Sequence, residues 1–138
     1  MIYNLNFQRI ASGDTVAAGL IPFSVWLDGS VAADRFYPYI ERHLPGQKVA
    51  FHLKEGRAYS GFPIALPLLI TPLYAPAALA VRAAGWDAGR IVVLAAVLEK
   101  LTASLVAALS VAVLYLLALR LATPAKALAA ALIYAFAT

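Results

Sequence analysis

Leu101 to Leu119 are nineteen consecutive positions without a charge, bracketed by Glu99-Lys100 on one side and Arg120 on the other. At about 1.5 Å rise per residue, a helix of that length extends roughly 28 Å, close to the ~30 Å hydrocarbon core of a bilayer. The pattern predicts a membrane-spanning segment inside one long helix from about Ala88 to Leu121. Gly85-Trp86-Asp87 punctuates its start, with Asp87 as N-cap and Trp86 as an interface anchor. Thr123-Pro124 restarts a helix, Thr as the cap and Pro at the first helical position. The uncharged residues after Lys126 number twelve, about 18 Å as a helix. They are too few to cross and read as a truncated hairpin partner, so the chain reads as the front portion of a larger membrane protein, or as a gene cut short.

Ala58 to Val81 is also uncharged and long enough to span, yet it holds Pro63, Pro67, Pro72 and Pro76. Interior prolines remove backbone hydrogen bonds, and the freed carbonyls have no partner in hydrocarbon. The expectation is an extended piece followed by a short interfacial or re-entrant helix around Tyr74 to Ala84. A kinked span is the alternative. The first sixty residues mix charges with aromatics such as Phe23, Trp26, Phe36 and Tyr37, as suits a membrane–water interface. Thr15 to Trp26 reads as a short helix limited by Pro22. Val49-Ala-Phe-His-Leu and Ala58-Tyr-Ser-Gly-Phe flank Lys54-Glu55-Gly56-Arg57 and read as a β-hairpin. The fold class is mainly α: a helical integral membrane protein fragment with an amphipathic, interfacial N-terminal loop region. Its divisions are residues 1–60 (extracytoplasmic loop), 61–86 (proline-rich interfacial or re-entrant segment), 87–122 (transmembrane helix) and 124–138 (truncated transmembrane helix).

Composition agrees. Only 13% of residues are charged, against about a quarter in soluble domains. The net charge of +4 forms no basic run with interleaved aromatics, so nucleic acid is not an expected partner. Cysteine is absent, which excludes disulfides and thiolate metal sites. His43 and His52 are nine residues apart and lack helical ligand spacing, so no metal site is expected. No motif identifies a cofactor. The N-terminus has no basic n-region followed by an apolar stretch, and is not a signal peptide. The short turn from Arg120 to Lys126 has two cations and no acid, which places it in the cytoplasm by the positive-inside rule. With one span between, residues 1–90 lie on the outer side. If the proline-rich stretch also spans, the first sixty residues return to the cytoplasm.

The stretch Arg9-Ile-Ala-Ser-Gly-Asp14-Thr puts a carboxylate after a flexible glycine in a loop expected at the membrane surface. A general base needs a carboxylate near its acceptor, with a pKa tuned by partial burial. From its neighbours alone, Asp14 reads first as a helix cap. Arg57, Tyr59 and Ser60 form a polar cluster just before the apolar stretch. They offer a forked charge-assisted contact and two hydroxyls for a phosphate or sugar, or else anchor the chain at head-group level. Asp28-Gly29 and Asp34 read as turn or solvated positions. Glu99-Lys100 lie at the edge of the apolar run, either snorkelling at the interface or facing a polar cavity.

The order Ser12-Gly13-Asp14-Thr, Leu20-Ile-Pro22-Phe, Leu27-Asp28-Gly and Gly56-Arg57-Ala-Tyr59-Ser60-Gly-Phe62-Pro63-Ile resembles the N-terminal part of bacterial integral-membrane glycosyltransferases of the GT-C superfamily. Leu98-Glu99-Lys100-Leu and the closing Ala-Leu-Ile-Tyr-Ala-Phe-Ala-Thr are similar too. The resemblance implies a multi-pass protein of the cell inner membrane with its N-terminal region periplasmic. It implies a polyprenyl-phosphate-sugar donor and an acidic base in the first extracytoplasmic loop. Asp14 matches that base and would deprotonate the acceptor hydroxyl as the lipid phosphate leaves. Asp28 lies in a matched motif, and with Arg57, Tyr59 and Ser60 it becomes a candidate for substrate binding. The transmembrane helix that precedes this loop in the family has no counterpart before Asp14, nor does a second acidic residue follow it. The expected partners are membrane lipid, the donor, and the remaining transmembrane helices of a longer chain or a partner subunit. Alone, the chain is expected to be inactive. The competing expectations are a non-catalytic small membrane protein or subunit, and a transporter fragment.

Overall fold

The computed structural model describes residues 13–137, with side chains from Thr15 to Phe136. The fold is mainly helical. In chain order it holds α1 (Gly13–Asp28), α2 (Tyr37–His43), a 3₁₀ turn (Pro45–Ala50), β1 (Phe51–Lys54), β2 (Arg57–Ser60), α3 (Ala65–Ile70), a second 3₁₀ turn (Thr71–Tyr74), α4 (Ala75–Ala84), α5 (Ala88–Ala118) and α6 (Pro124–Ala137). The described residues divide into two compact units, one running to Lys100 and one from Leu101.

In the first unit α1 is the core helix. Ala17, Leu20, Ile21, Phe23 and Ser24 are buried along it, and it packs on α3, the second 3₁₀ turn and α4. Phe23 meets Tyr74 edge to face, centroids 5.4 Å apart. The helix does not stop at Pro22, as local propensity suggests, but runs through it to Asp28. Proline costs one backbone bond and a steric clash. Here the residues around it are fully buried, and tertiary packing outweighs propensity. Asp14 falls in the first turn of α1, after Gly13, and its side chain lies outside the described residues.

The expected hairpin is present. β1 and β2 pair antiparallel, Lys54 opposite Arg57 and His52 opposite Tyr59. Glu55 and Gly56 form the two-residue turn, with φ of 53° and 75°. Positive φ at both central positions is the requirement of a type I′ turn, whose twist matches that of the strands. Glycine meets it without strain at the second position, while Glu55 takes the less favoured conformation. On its far side β2 is held by the loop after α1, through the Ala33 N–H to the Ala58 carbonyl at 2.7 Å.

The proline-rich segment holds the expected helix, as α4, and differs from expectation before it, where the expectation is an extended piece. It is helical from Ala65, as a continuous α–3₁₀–α run to Ala84. The hydrogen bonds explain how. Pro72 has no N–H for the Leu68 carbonyl, and the Thr71 N–H takes that carbonyl instead. Pro76 has none for the Pro72 carbonyl, and the Ala75 N–H takes it. Each proline is answered by a three-residue step from the residue before it, the 3₁₀ pattern. The Thr71 hydroxyl donates to the Pro67 carbonyl at 2.8 Å. The Trp26 indole N–H, from α1, donates to the Thr71 carbonyl at 2.8 Å. The Thr71→Val variant, similar in shape but without the hydroxyl, is expected to lower stability by about 1 kcal/mol. Urea unfolding of the detergent-solubilised chain checks this, and an unchanged midpoint would contradict the account.

α4 ends at Gly85 in the left-handed conformation, and the Trp86 N–H reaches back to the Val81 carbonyl at 3.2 Å, closing a Schellman cap. Asp87 caps α5 as expected, its carboxylate accepting the Gly89 N–H at 3.1 Å. α5 ends at Ala118, three residues before the expected boundary, and a turn follows. Thr123 opens α6, its carbonyl accepting the Ala127 N–H at 2.9 Å. Two runs, Ala65–Ala84 and Ala88–Ala118, are long and apolar enough to cross a membrane. Only 6% of the apolar stretch of α5 is buried, and Leu105, Leu109, Val113 and Leu117 stand exposed along it.

Candidate functional site

The candidate residues fall into two groups at opposite ends of α1. Asp14 and Asp28 are fourteen residues apart on that helix, about 21 Å at the usual helical rise. They do not share a pocket-sized site.

At the C-terminal end, the loop that follows α1 clasps the hairpin through ion pairs. Arg35 is bidentate on Asp28, its Nε 3.0 Å from both carboxylate oxygens. Arg57, from β2, donates through Nε to Asp34 at 3.1 Å and through Nη2 to the Ser30 hydroxyl at 2.7 Å. The other Asp34 oxygen accepts the Ala58 N–H at 2.7 Å. The Arg57 guanidinium lies 5.8 Å from the centroid of the Tyr59 ring. Ser60 is engaged locally, accepting the Phe62 N–H and donating to the Phe62 carbonyl, both at 3.1 Å. The structure therefore joins Arg57 and Tyr59, ties Asp28 to the same loop, and turns Ser60 back on its own backbone.

Electrostatics follow this pairing. The Ala58 N–H and then Arg57 hold the Asp34 carboxyl below its ordinary value against the opposing cost of burial. Donating to Asp28 raises the Arg35 pKa, and donating to Asp34 raises that of Arg57. Two acids and two arginines neutralise one another, so the cluster works chiefly as a latch between loop and hairpin. Asp34 was legible only as a turn residue, because its partner is 23 positions away.

The latch has a pH signature. A carboxylate whose folded pKa is depressed stabilises the fold fully above its unfolded pKa, and that contribution fades as pH falls through the folded value. The urea midpoint of the chain is expected to drop below about pH 4. Asp34→Asn should lower the midpoint at pH 7 and flatten the acid dependence. A variant with the same acid slope as the parent would show that Asp34 plays no part in it.

At the N-terminal end of α1 lies a cleft of about 100 Å³. Its walls are the first turns of α1, the Leu44–Gln47 turn, and α5 from Val92 to Glu99. Gly19 faces Ala95 across the cleft, where a Cβ would meet the Ala95 carbonyl oxygen at an ordinary contact distance of 3.4 Å. The lining is apolar apart from Thr15, Gln47 and Glu99. Thr15 directly follows Asp14, so the backbone of the candidate base stands next to this cleft. Glu99 reaches it from α5. Gln47 carried no local signal; the fold alone brings it to this wall. Among the described residues no three His, Asp or Glu side chains converge as metal ligands. His43 instead stacks on Tyr39, centroids 4.6 Å apart.

No protein family, curated protein or solved structure matches this chain.

Proposed function

We infer that the chain is the front part of an integral-membrane glycosyltransferase of the GT-C kind, which transfers a sugar from a polyprenyl-phosphate donor to an extracytoplasmic acceptor. The observation that carries the membrane half of this reading is the uncovered apolar surface of α5. In water that surface would be costly at about 25 cal/mol per Å²; in lipid it is matched. Leu101 to Leu119 then cross the bilayer, the Arg120–Lys126 turn lies in the cytoplasm, and α6 starts back. With this single crossing, the residues before α5 belong to the outer side of an inner membrane.

The transferase half rests on the ordered short motifs around Asp14, Asp28 and Arg57 and on the position of Asp14. In this reading Asp14 takes the proton from the acceptor hydroxyl, the oxygen attacks the anomeric carbon, and the bond to the lipid phosphate breaks. Thr15, Gln47 and Glu99 line the adjacent cleft and orient the acceptor. Asp28, Arg57, Tyr59 and Ser60 shape the loop and hairpin at the far end of α1, where an extended lipid-linked sugar could still reach them. The test is sugar transfer from a polyprenyl-phosphate-sugar by membranes carrying the gene's whole reading frame. Transfer above that of empty membranes supports the reading. Its absence, with the protein present and membrane-bound, leaves a non-catalytic membrane protein.

A further inference from the structure

Gln47 carries an acceptor that the fold does not use. Its side-chain Oε1 is buried, and nothing among the described residues donates to it. The backbone needs no help from it: the Gln47 N–H donates to the Leu44 carbonyl at 2.8 Å, and the turn closes without the side chain. A buried carbonyl with no donor costs stability that an apolar side chain of the same shape would not. Gln47 stands in the wall of the cleft beside the first turns of α1, where Val16, Leu20, Leu44, Val92 and Val93 supply much of the lining. A few polar groups among apolar walls are what fixes the orientation of a ligand in a site.

Size and charge limit what enters. A cavity of about 150 Å³ admits benzene. This cleft measures about 100 Å³, too little for a six-membered ring and enough for a hydroxymethyl arm. The methylene of such an arm meets the valines and leucines, and its O–H donates to Gln47. An ammonium would lose far more hydration among these walls than a hydroxyl does. An anion has no proton to offer, and Glu99 also lines the cleft.

Proton count then separates two hydroxyls. A hydroxyl has a single proton, so one that donates to Gln47 cannot give that proton to Asp14. The hydroxyl in the cleft is not the one that reacts, and the acceptor carries both. We propose that the acceptor is a sugar or related polyol whose hydroxymethyl arm enters the cleft and donates to Gln47, while a different hydroxyl outside the cleft receives the transferred sugar. That second hydroxyl gives its proton to Asp14, its oxygen bonds to the anomeric carbon, and the lipid phosphate leaves. The proposal rests on the sugar-transfer reading, but binding of the arm is measured without donor and so stands apart from the reaction.

The absence of cysteine makes the test direct. Val93→Cys, exposed at the cleft wall, is a single reporter. Its labelling by a water-soluble maleimide is followed in membranes carrying the chain, with hexyl glucoside, galactoside or mannoside and with the 6-deoxy counterpart of each. At least one hexoside is expected to slow labelling at about tenfold lower concentration than its 6-deoxy counterpart, which leaves Gln47 unpaired. Gln47→Met, similar in length but without the acceptor, is expected to erase that difference. In detergent its urea midpoint should equal or exceed the parent's, because no bond within the fold is lost. Three results would each overturn the proposal: no hexoside that outdoes its 6-deoxy counterpart, a difference that survives Gln47→Met, or a Gln47→Met midpoint well below the parent's, which would give the side chain a structural duty. Selective protection by a hexoside that the whole reading frame cannot glycosylate from a polyprenyl-phosphate-sugar would uphold the hydroxymethyl site and remove the sugar-transfer reading instead.

Discussion

Asp14→Asn is expected to lower sugar transfer by roughly 10²–10⁴-fold, the range that a positioned general base supplies. The substitution is chosen because it separates two roles. Asparagine caps a helix about as well as aspartate, so a capping role predicts normal folding and normal activity. A base role predicts normal folding and lost activity, because an amide cannot take the acceptor's proton. The measurement is the initial rate at equal amounts of membrane-bound protein. Because Asp14 sits in the first turn of α1 beside the cleft, the loss should fall on the turnover rate more than on donor affinity. An Asn variant with parental rates would return Asp14 to the helix-start role that its neighbours alone suggest.

Phe23→Ala is expected to destabilise the first unit by about 3–5 kcal/mol, the usual cost of emptying a buried phenylalanine site. Phe23 is fully buried. Its ring stands edge-on to Tyr74, which carries the inward face of the proline-rich run. Removing the ring takes away both the transfer energy and an aromatic pair, and leaves a void between α1 and that run. Because α1 packs on α3, the 3₁₀ turn and α4 together, the void cannot be closed by moving one short element. A stability near 5–15 kcal/mol is normal for a whole domain, so the variant should show marked loss of protease resistance in detergent. Parental resistance would mean that α1 is not the core helix.

What could be read from the sequence was what is local. Asp87 and Thr123-Pro124 mark helix starts because capping acts within three residues, and both are observed. Lys54-Glu55-Gly56-Arg57 marks the hairpin because the turn chemistry lies inside the loop. What could not be read depends on partners far along the chain. Pro22 is carried by burial among other elements. The run from Ala65 survives its prolines partly through Trp26, 45 residues away, where propensity alone puts an extended piece before Tyr74. Asp34 finds its role through Arg57 and Ala58, 23 and 24 residues away. The cleft beside Asp14 draws on α1, the Leu44–Gln47 turn and α5, which no spacing rule connects. Arg57 and Tyr59 were rightly grouped, as strand neighbours must be, yet the structure spends Arg57 on Asp34 and Ser30.

The central claim is that α5 lies in lipid, and alkaline carbonate extraction of membranes from cells expressing the chain tests it most directly. The account predicts that the chain stays in the pellet with integral proteins. Release into the supernatant, with an integral marker retained, would contradict it.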